Sequence, residues 1–307
     1  VYGVIMLNIY EQVDRNKQKS AIIIIGFIVF IFVVAYCMSY AFNGDGSLLG
    51  WALILSGIMS FTSYYYADRM ILSISNAKPA TKKDYFDYYT VTENLCMAAQ
   101  LPMPQLYVIE DTAMNAFATG RDPQHAVVCA TTGILARLNR TELEGVIAHE
   151  LSHVKNYDIR LMSIVTVLVG VVTLIADWFL RASMWGNNRR DRDDNNQFAG
   201  IMMIIGLISM IISPLIAQLI QLSISRNREF LADASAVAIT KYPDGLAKAL
   251  EKISKDKEPL ELANKATAHL YISNPLSNQK GTIAWFSNLF STHPPIEERI
   301  AALKAMR

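Results

Sequence analysis

A mainly α membrane protein, in which helical hairpins flank an α/β segment, is the fold class that this 307-residue sequence predicts. Three observations lead to it. Hydrophobic residues make up 52% of the chain and mean hydropathy is +0.24, more than an ordinary soluble domain carries. Uncharged apolar runs at 21–41 and 48–67 approach the ~20 residues that cross a bilayer core as helix. From 70 to 158 the composition turns mixed, with both helical and strand-like periodicities.

Residues 1–20 read as a cytoplasmic segment leading into a transmembrane hairpin at 21–67. A removable signal peptide would have a shorter apolar region and a small-residue cleavage site. Arg15, Lys17 and Lys19 precede the hairpin, Arg69, Lys78, Lys82 and Lys83 follow it, and the 42–47 connection holds no basic residue. The positive-inside rule therefore puts both ends in the cytoplasm. Tyr64, Tyr65 and Tyr66 fit either an interfacial aromatic belt or packing inside a bundle.

In segment 70–158 a helix is expected near 84–99, with strands at Leu106–Ile109 and Ala126–Ala130. A further helix is read from Thr141-x-x-Glu144 as a capping box, with Leu143, Val146, Ile147 and Val154 as its apolar stripe. The second apolar pair, 161–217, comprises Leu161–Ala176 and Phe198–Ala217 around a polar stretch at 187–194. The second of these is long enough to span; the first is short, so the pair is transmembrane or partly re-entrant. Arg181, Arg189, Arg190 and Arg192 between them oppose a full crossing, which would place them outside. Residues 222–307 are helical in character, the charges between Leu246 and Ile253 reading as a solvated face.

Net charge is only +1, from 28 basic and 27 acidic residues, which gives no footprint for nucleic acid. Cys37, Cys96 and Cys129 are scattered and odd in number, fitting neither a disulfide framework nor a thiolate metal site.

His149-Glu150-Leu151-Ser152-His153 sets two imidazoles one turn apart on one helical face, where both reach a single metal ion. Neutral imidazole is a good zinc ligand, and the adjacent Glu150 can take a proton from the attacking water and pass it to the leaving amine. A catalytic zinc needs one more protein ligand. Glu229, in Arg228-Glu229-Phe230-Leu231-Ala232-Asp233, is the best downstream candidate, and Asp233 one turn on could orient a ligating histidine. The alternative for Glu229 and Asp233 is a solvated helix face. His125, His269 and His293 lack metal-like spacing to a partner. Because His153 lies about a dozen ångströms of helix before the apolar run at Leu161, the site is expected at the membrane face.

With these residues in place, nearly the whole chain resembles the HtpX family of integral membrane zinc metalloproteases, related to the CAAX prenyl proteases. The resemblance rests on the first hairpin, Asn115-Ala116-Phe117-Ala118-Thr119-Gly120, the His149–His153 motif, the second apolar pair, Glu229 to Asp233, and Ser291-Thr292-His293-Pro294-Pro295. It implies transmembrane hairpins with a zincin-like (gluzincin) α/β catalytic domain in two parts, 70–158 and 222–307. It also implies one Zn2+ per chain on His149, His153 and Glu229, with Glu150 as general base and Asp233 in support. Two roles come from the resemblance alone: Asn115 beside the strand that pairs with an extended substrate, and His293 as donor to the tetrahedral oxyanion. The implied activity is quality control in the cell membrane, cleaving misfolded or damaged membrane proteins or unfolded polypeptides at the cytoplasmic face. Two rivals stand beside it: a CAAX-type protease, which needs more membrane helices than four, and a non-enzymatic membrane scaffold or transporter carrying an accidental motif.

Overall fold

The computed structural model describes residues 9–41, 47–170, 226–256, 258, 270–272 and 294–306. Helix α1 (Ile9–Ala41) and helix α2 (Ser47–Ile74) form the first hairpin. At 1.5 Å per residue, their 33 and 28 residues each exceed the ~30 Å of a bilayer core.

What these two helices bury is the reverse of a soluble pattern. Asn16, Ser20, Ile23 and Phe27 of α1 follow one helical stripe and are buried, whereas Ile22 and Ile25 are 67% and 61% exposed. On α2, Ala52, Ser56, Ser60, Ser63 and Ala67 are buried, while Trp51, Leu53, Ile54, Leu55, Ile58 and Phe61 face outward. Small and polar residues inward with large apolar residues outward is the arrangement of helices packed in lipid. By length and composition, one segment among the described residues, Asp14–Val33, is apolar enough to cross a membrane. Most of the expected second pair, from residue 171 on, lies outside the described residues. Its described start belongs to helix α6 (158–170), whose Leu161, Ile164, Val165 and Leu168 are buried in one cluster with Ile23 and Phe27 of α1. Of the three tyrosines, Tyr64 packs against this cluster, whereas Tyr65 and Tyr66 are exposed beneath Arg121 and Arg69.

The α/β part is a four-stranded sheet in the order β1-β2-β4-β3, from β1 (Lys78–Pro79), β2 (Gln105–Ile109), β3 (Ala116–Gly120) and β4 (Ala126–Thr131). β2 and β4 run parallel, Leu106 opposite Val128; β3 runs antiparallel to β4, Ala118 opposite Val128. The expected strands at 106–109 and 126–130 are both present. β3 is the strand that the resemblance put beside Asn115; its own residues do not announce it, since Ala-Phe-Ala-Thr-Gly lacks alternation and all five residues are buried. Helix α3 (Phe86–Ala99) stands where one was expected and packs Val91, Leu95 and Cys96 into the main core. Burial pushes the Cys96 thiol up to about 11, in keeping with an inert cysteine.

After the short helix α4 (Thr132–Arg137), α5 (Arg140–Lys155) carries the histidine motif. Its capping box is two residues upstream of the expected Thr141 and Glu144. Asn139 adopts extended backbone, accepts from the Glu142 amide, and donates its own amide to the Glu142 carboxylate at 2.9 Å. Thr141 already lies inside the helix and only donates to the Asn139 side chain at 2.8 Å, while Glu144 pairs with Arg140. Either Asn or Thr can begin such a motif, and one Thr-x-x-Glu match does not fix the frame. The expected apolar stripe, Leu143, Val146, Ile147 and Val154, is buried.

Helix α7 (Arg226–Thr240), helix α8 (Pro243–Lys255) and helix α9 (Ile296–Lys304) complete the domain around α5. α8 crosses α5 so closely that a Cβ on Gly145 would meet the Leu246 backbone nitrogen at 2.5 Å. The outward charges of α8 are solvated as expected, except that Lys252 reaches the buried Glu142 at 2.6 Å.

Candidate active site

Helix α5 presents His149 and His153 one turn apart, and α7 presents Glu229 to meet them. The two Nε2 atoms are 3.2 Å apart, and the Glu229 carboxylate oxygens lie 3.7 Å from His149 Nε2 and 3.6 Å from His153 Nε2. All three residues are buried, and one ligand atom from each falls within 4.8 Å of the others. Tetrahedral coordination at ~2.0–2.1 Å puts ligand atoms roughly 3.3 Å apart, so this donor set fits a zinc-sized ion.

The outer nitrogen of each imidazole is backed by a carboxylate. His149 Nδ1 lies 2.9 Å from Asp233 Oδ1, and His153 Nδ1 lies 3.1 Å from Asp158 Oδ2. A carboxylate at Nδ1 places the proton there and leaves the Nε2 lone pair facing inward. Asp233, one turn beyond Glu229, is where the sequence expectation put it. Asp158 was not anticipated. It follows His153 by five residues, off the helical register, and reaches back because Tyr157 takes the left-handed conformation at φ 58°.

Arg299 of α9 was also missed, and it is the largest fully buried side chain in the described residues. Its guanidinium grips Asp233 with two hydrogen bonds, Nε to Oδ2 at 2.9 Å and Nη2 to Oδ1 at 2.7 Å. It also lies 3.6 Å from Glu229 and 3.4 Å from the His149 ring. Burial would raise the Asp233 carboxyl, but Arg299 and then His149 hold it below its ordinary value. Burial together with Arg299 depresses His149. For His153 burial acts downward too, but the Asp158 hydrogen bond and the Glu229 charge outweigh it and hold the metal-free imidazole at about 9.

Glu150 is buried beside the two histidines, and burial pushes its carboxyl up to about 7 despite the opposing pull of His153. It accepts a hydrogen bond from the Ala118 amide of β3, so the edge strand of the sheet runs directly past it. Asn115 sits at the entry of β3; its side-chain oxygen accepts from the Ala116 amide at 3.1 Å, and its backbone pairs with Thr131. His125 is not part of the cluster: it is exposed and bonded to Asp122 at 2.6 Å. His269 and His293 lie outside the described residues.

Residues 87–307 match the model of peptidase family M48. The chain belongs to that family. M48 membership agrees with similarity to proteins named Protease HtpX homolog. The one from Dictyoglomus turgidum is 44% identical over 302 residues, covering 97% of this chain and 94% of that protein. The one from Ligilactobacillus salivarius is 41% identical over 300 residues, covering 97% and 100%. Among solved structures, S. mikatae Ste24p shares the fold at a TM-score of 0.50 and 18% identity, over 96% of this chain and 66% of that one. This M48 protein is accordingly a metalloprotease of the HtpX type, and its outward-facing apolar helices associate it with a membrane.

Proposed function

We propose that the protein is a zinc-dependent endopeptidase of the cell membrane. On this reading it spans the bilayer several times and holds a zincin-like (gluzincin) catalytic domain on the cytoplasmic side. The observation that carries it is the buried convergence of His149 Nε2, His153 Nε2 and the Glu229 carboxylate, with Glu150 alongside. His149, His153 and Glu229 would hold one Zn2+ per chain. Zinc supplies Lewis-acid chemistry, polarising the scissile carbonyl and making water a better nucleophile. Glu150 takes the proton from the attacking water and delivers it to the departing amine nitrogen. A cation held close by would lower that carboxyl from about 7 and favour the ionised form that accepts the proton. Asp233 and Asp158 hold the imidazoles in the productive tautomer.

An extended substrate would lie along β3, the sheet edge beside Glu150, with Asn115 at its start and His293 donating to the oxyanion. Membrane proteins that are misfolded or damaged, or unfolded polypeptides, are the substrates of this reading; it is supported by the packing of α6, which follows directly on the His153 turn, against the apolar helix α1. Equal cleavage of soluble and membrane-anchored versions of one substrate, in the same vesicles, would argue against that choice.

The central test compares wild type and Glu150→Ala, both purified in detergent without chelator, for zinc content and casein hydrolysis. About one zinc per chain in both, with cleavage by wild type only, supports the reading. Absence of zinc from both, or equal cleavage by the variant, defeats it.

A further inference from the structure

Asn16 lies in the polar first turns of α1, where Asp14, Arg15, Lys17 and Gln18 are exposed, yet it is 3% exposed and its side chain is hydrogen-bonded through both its nitrogen and its oxygen. Its Nδ2 donates to Asp158 Oδ1 at 2.8 Å and to the Asn156 carbonyl at 2.9 Å. Its Oδ1 accepts from Arg228 Nη1 at 3.3 Å, and the same guanidinium nitrogen reaches Asp158 Oδ1 at 3.3 Å. The second oxygen of Asp158 is the one that meets His153 Nδ1. An unbroken line of hydrogen bonds therefore runs from a membrane helix, across 142 residues of sequence, to an imidazole of the proposed metal site.

Packing alone does not call for an amide here. The stripe that seats α1 against α6 continues with Ile23 and Phe27, and an apolar side chain at 16 would extend it without the cost of desolvating an amide. What the amide adds is control of a carboxylate. Asp158 stands just after the left-handed Tyr157, and its carboxylate is free to rotate about its last bond unless something holds one oxygen. Asn16 and Arg228 take Oδ1, which leaves Oδ2 aimed at His153. The seat is reinforced on both sides of Tyr157, whose ring lies under Lys17 of α1 at 4.8 Å and under Arg160 of α6 at 5.0 Å.

We infer that Asn16 is a positioning residue of the active site: through Asp158 it fixes the orientation and tautomer of His153, so the docking of the first membrane helix sets the geometry of a metal-binding imidazole. The inference rests on the proposed ligand set of His149, His153 and Glu229.

The test uses the full chain in lipid nanodiscs, stripped of metal and titrated with Co2+, whose visible d–d bands report the ligand geometry. Asn16→Leu keeps the size of the side chain and removes its hydrogen bonds. It should bind Co2+ ten- to a hundred-fold more weakly, with shifted bands, and lower kcat by a similar factor while KM stays within about twofold. Phe27→Ala loosens the same helix without touching the hydrogen bonds, and should lower the melting temperature while keeping wild-type Co2+ affinity and bands. A donor–acceptor exchange gives a second route should Asn16→Leu not fold. Asp158→Asn alone lets the new amide turn either group toward His153, whereas adding Asn16→Asp draws its NH2 away and restores an acceptor at His153. The double variant should recover Co2+ affinity over Asp158→Asn. Wild-type affinity and bands in Asn16→Leu, equal changes in Asn16→Leu and Phe27→Ala, or no recovery in the exchange would overturn the inference while leaving the metalloprotease reading intact. A wild-type protein that takes up no Co2+ would defeat both.

Discussion

His149 and His153 have the same chemistry and sit one turn apart on one helix, yet the regions behind them differ. Behind His149, Asp233 is clamped by Arg299, whose charge also touches the imidazole itself. Behind His153, Asp158 is held by the neutral amide of Asn16, with Arg228 set back on the far oxygen. The electrostatic outcome follows: burial and Arg299 keep His149 unprotonated, while His153 holds a proton to about 9. One imidazole is ready for a cation, and the other must first surrender a proton. Two imidazoles of one candidate metal site can thus be tuned in opposite directions by what lies one residue further out.

Breaking the first arm should have the largest effect. Arg299→Met leaves the Asp233 carboxylate buried without its clamp, which costs roughly 3–5 kcal/mol. The expected result is a marked fall in melting temperature of the metal-free protein; an unchanged melting curve would mean that Asp233 has another support. Next comes the scaffold that both arms share. Gly145→Ala forces α8 away from α5, at a cost of about 1–3 kcal/mol from overpacking, and denaturation in detergent should show it. Metal affinity of both imidazoles should suffer together.

The third prediction sharpens the asymmetry itself. On the proposed ligand set, metal uptake must displace the proton on His153, so affinity should fall by close to tenfold per pH unit from about 9 down to about 7, below which Glu150 contributes a second proton, and be independent of the His153 proton at higher pH. His149, already depressed, adds no slope near neutrality. A slope of two protons between about pH 7 and about pH 9, above the range in which Glu150 titrates, measured by metal titration at several pH values, would mean that the two histidines are alike after all. The smallest effect is expected outside both arms. Burial opposes ionisation of Asp122, but its bonds to His125 win and hold the carboxyl below its ordinary value. A depressed acid stabilises the fold above its unfolded-state value, and that contribution is lost as pH falls through the folded value, below about 4. Asp122→Asn should remove less than about 1 kcal/mol near neutral pH, read from melting temperatures.

What could be read from the sequence was what helical spacing makes local. His149, His153, Glu229 and Asp233 are pairs at i and i+4, and their side chains meet once the two helices cross. Asp158 escaped because the left-handed turn at Tyr157 breaks that spacing, although a helix interrupted at Asn156-Tyr157 directly after the motif was a signal that could have been followed. Asn16 and Arg299 carry no local signal. Their partners lie 142 and 66 residues away, and one sequence without tertiary contacts gives no reason to prefer them over the charged and polar residues beside them, Lys17 and Gln18 for Asn16 and Glu297 and Glu298 for Arg299. The shifted capping box and the weak local signal of β3 have different causes: two residue pairs could each have begun the helix, whereas β3, buried on both faces, has no polar–apolar alternation to announce it.

The dependence of Asp233 on Arg299 also has a consequence in time. The two residues are 66 apart, and at the ~5–20 residues per second of synthesis several seconds pass between their additions to the chain. Until α9 has been made and docked, Asp233 cannot settle as a buried carboxylate and His149 has no fixed backing. The candidate centre therefore stays unfinished during synthesis until α9, which follows the apolar helices in the chain, has been added.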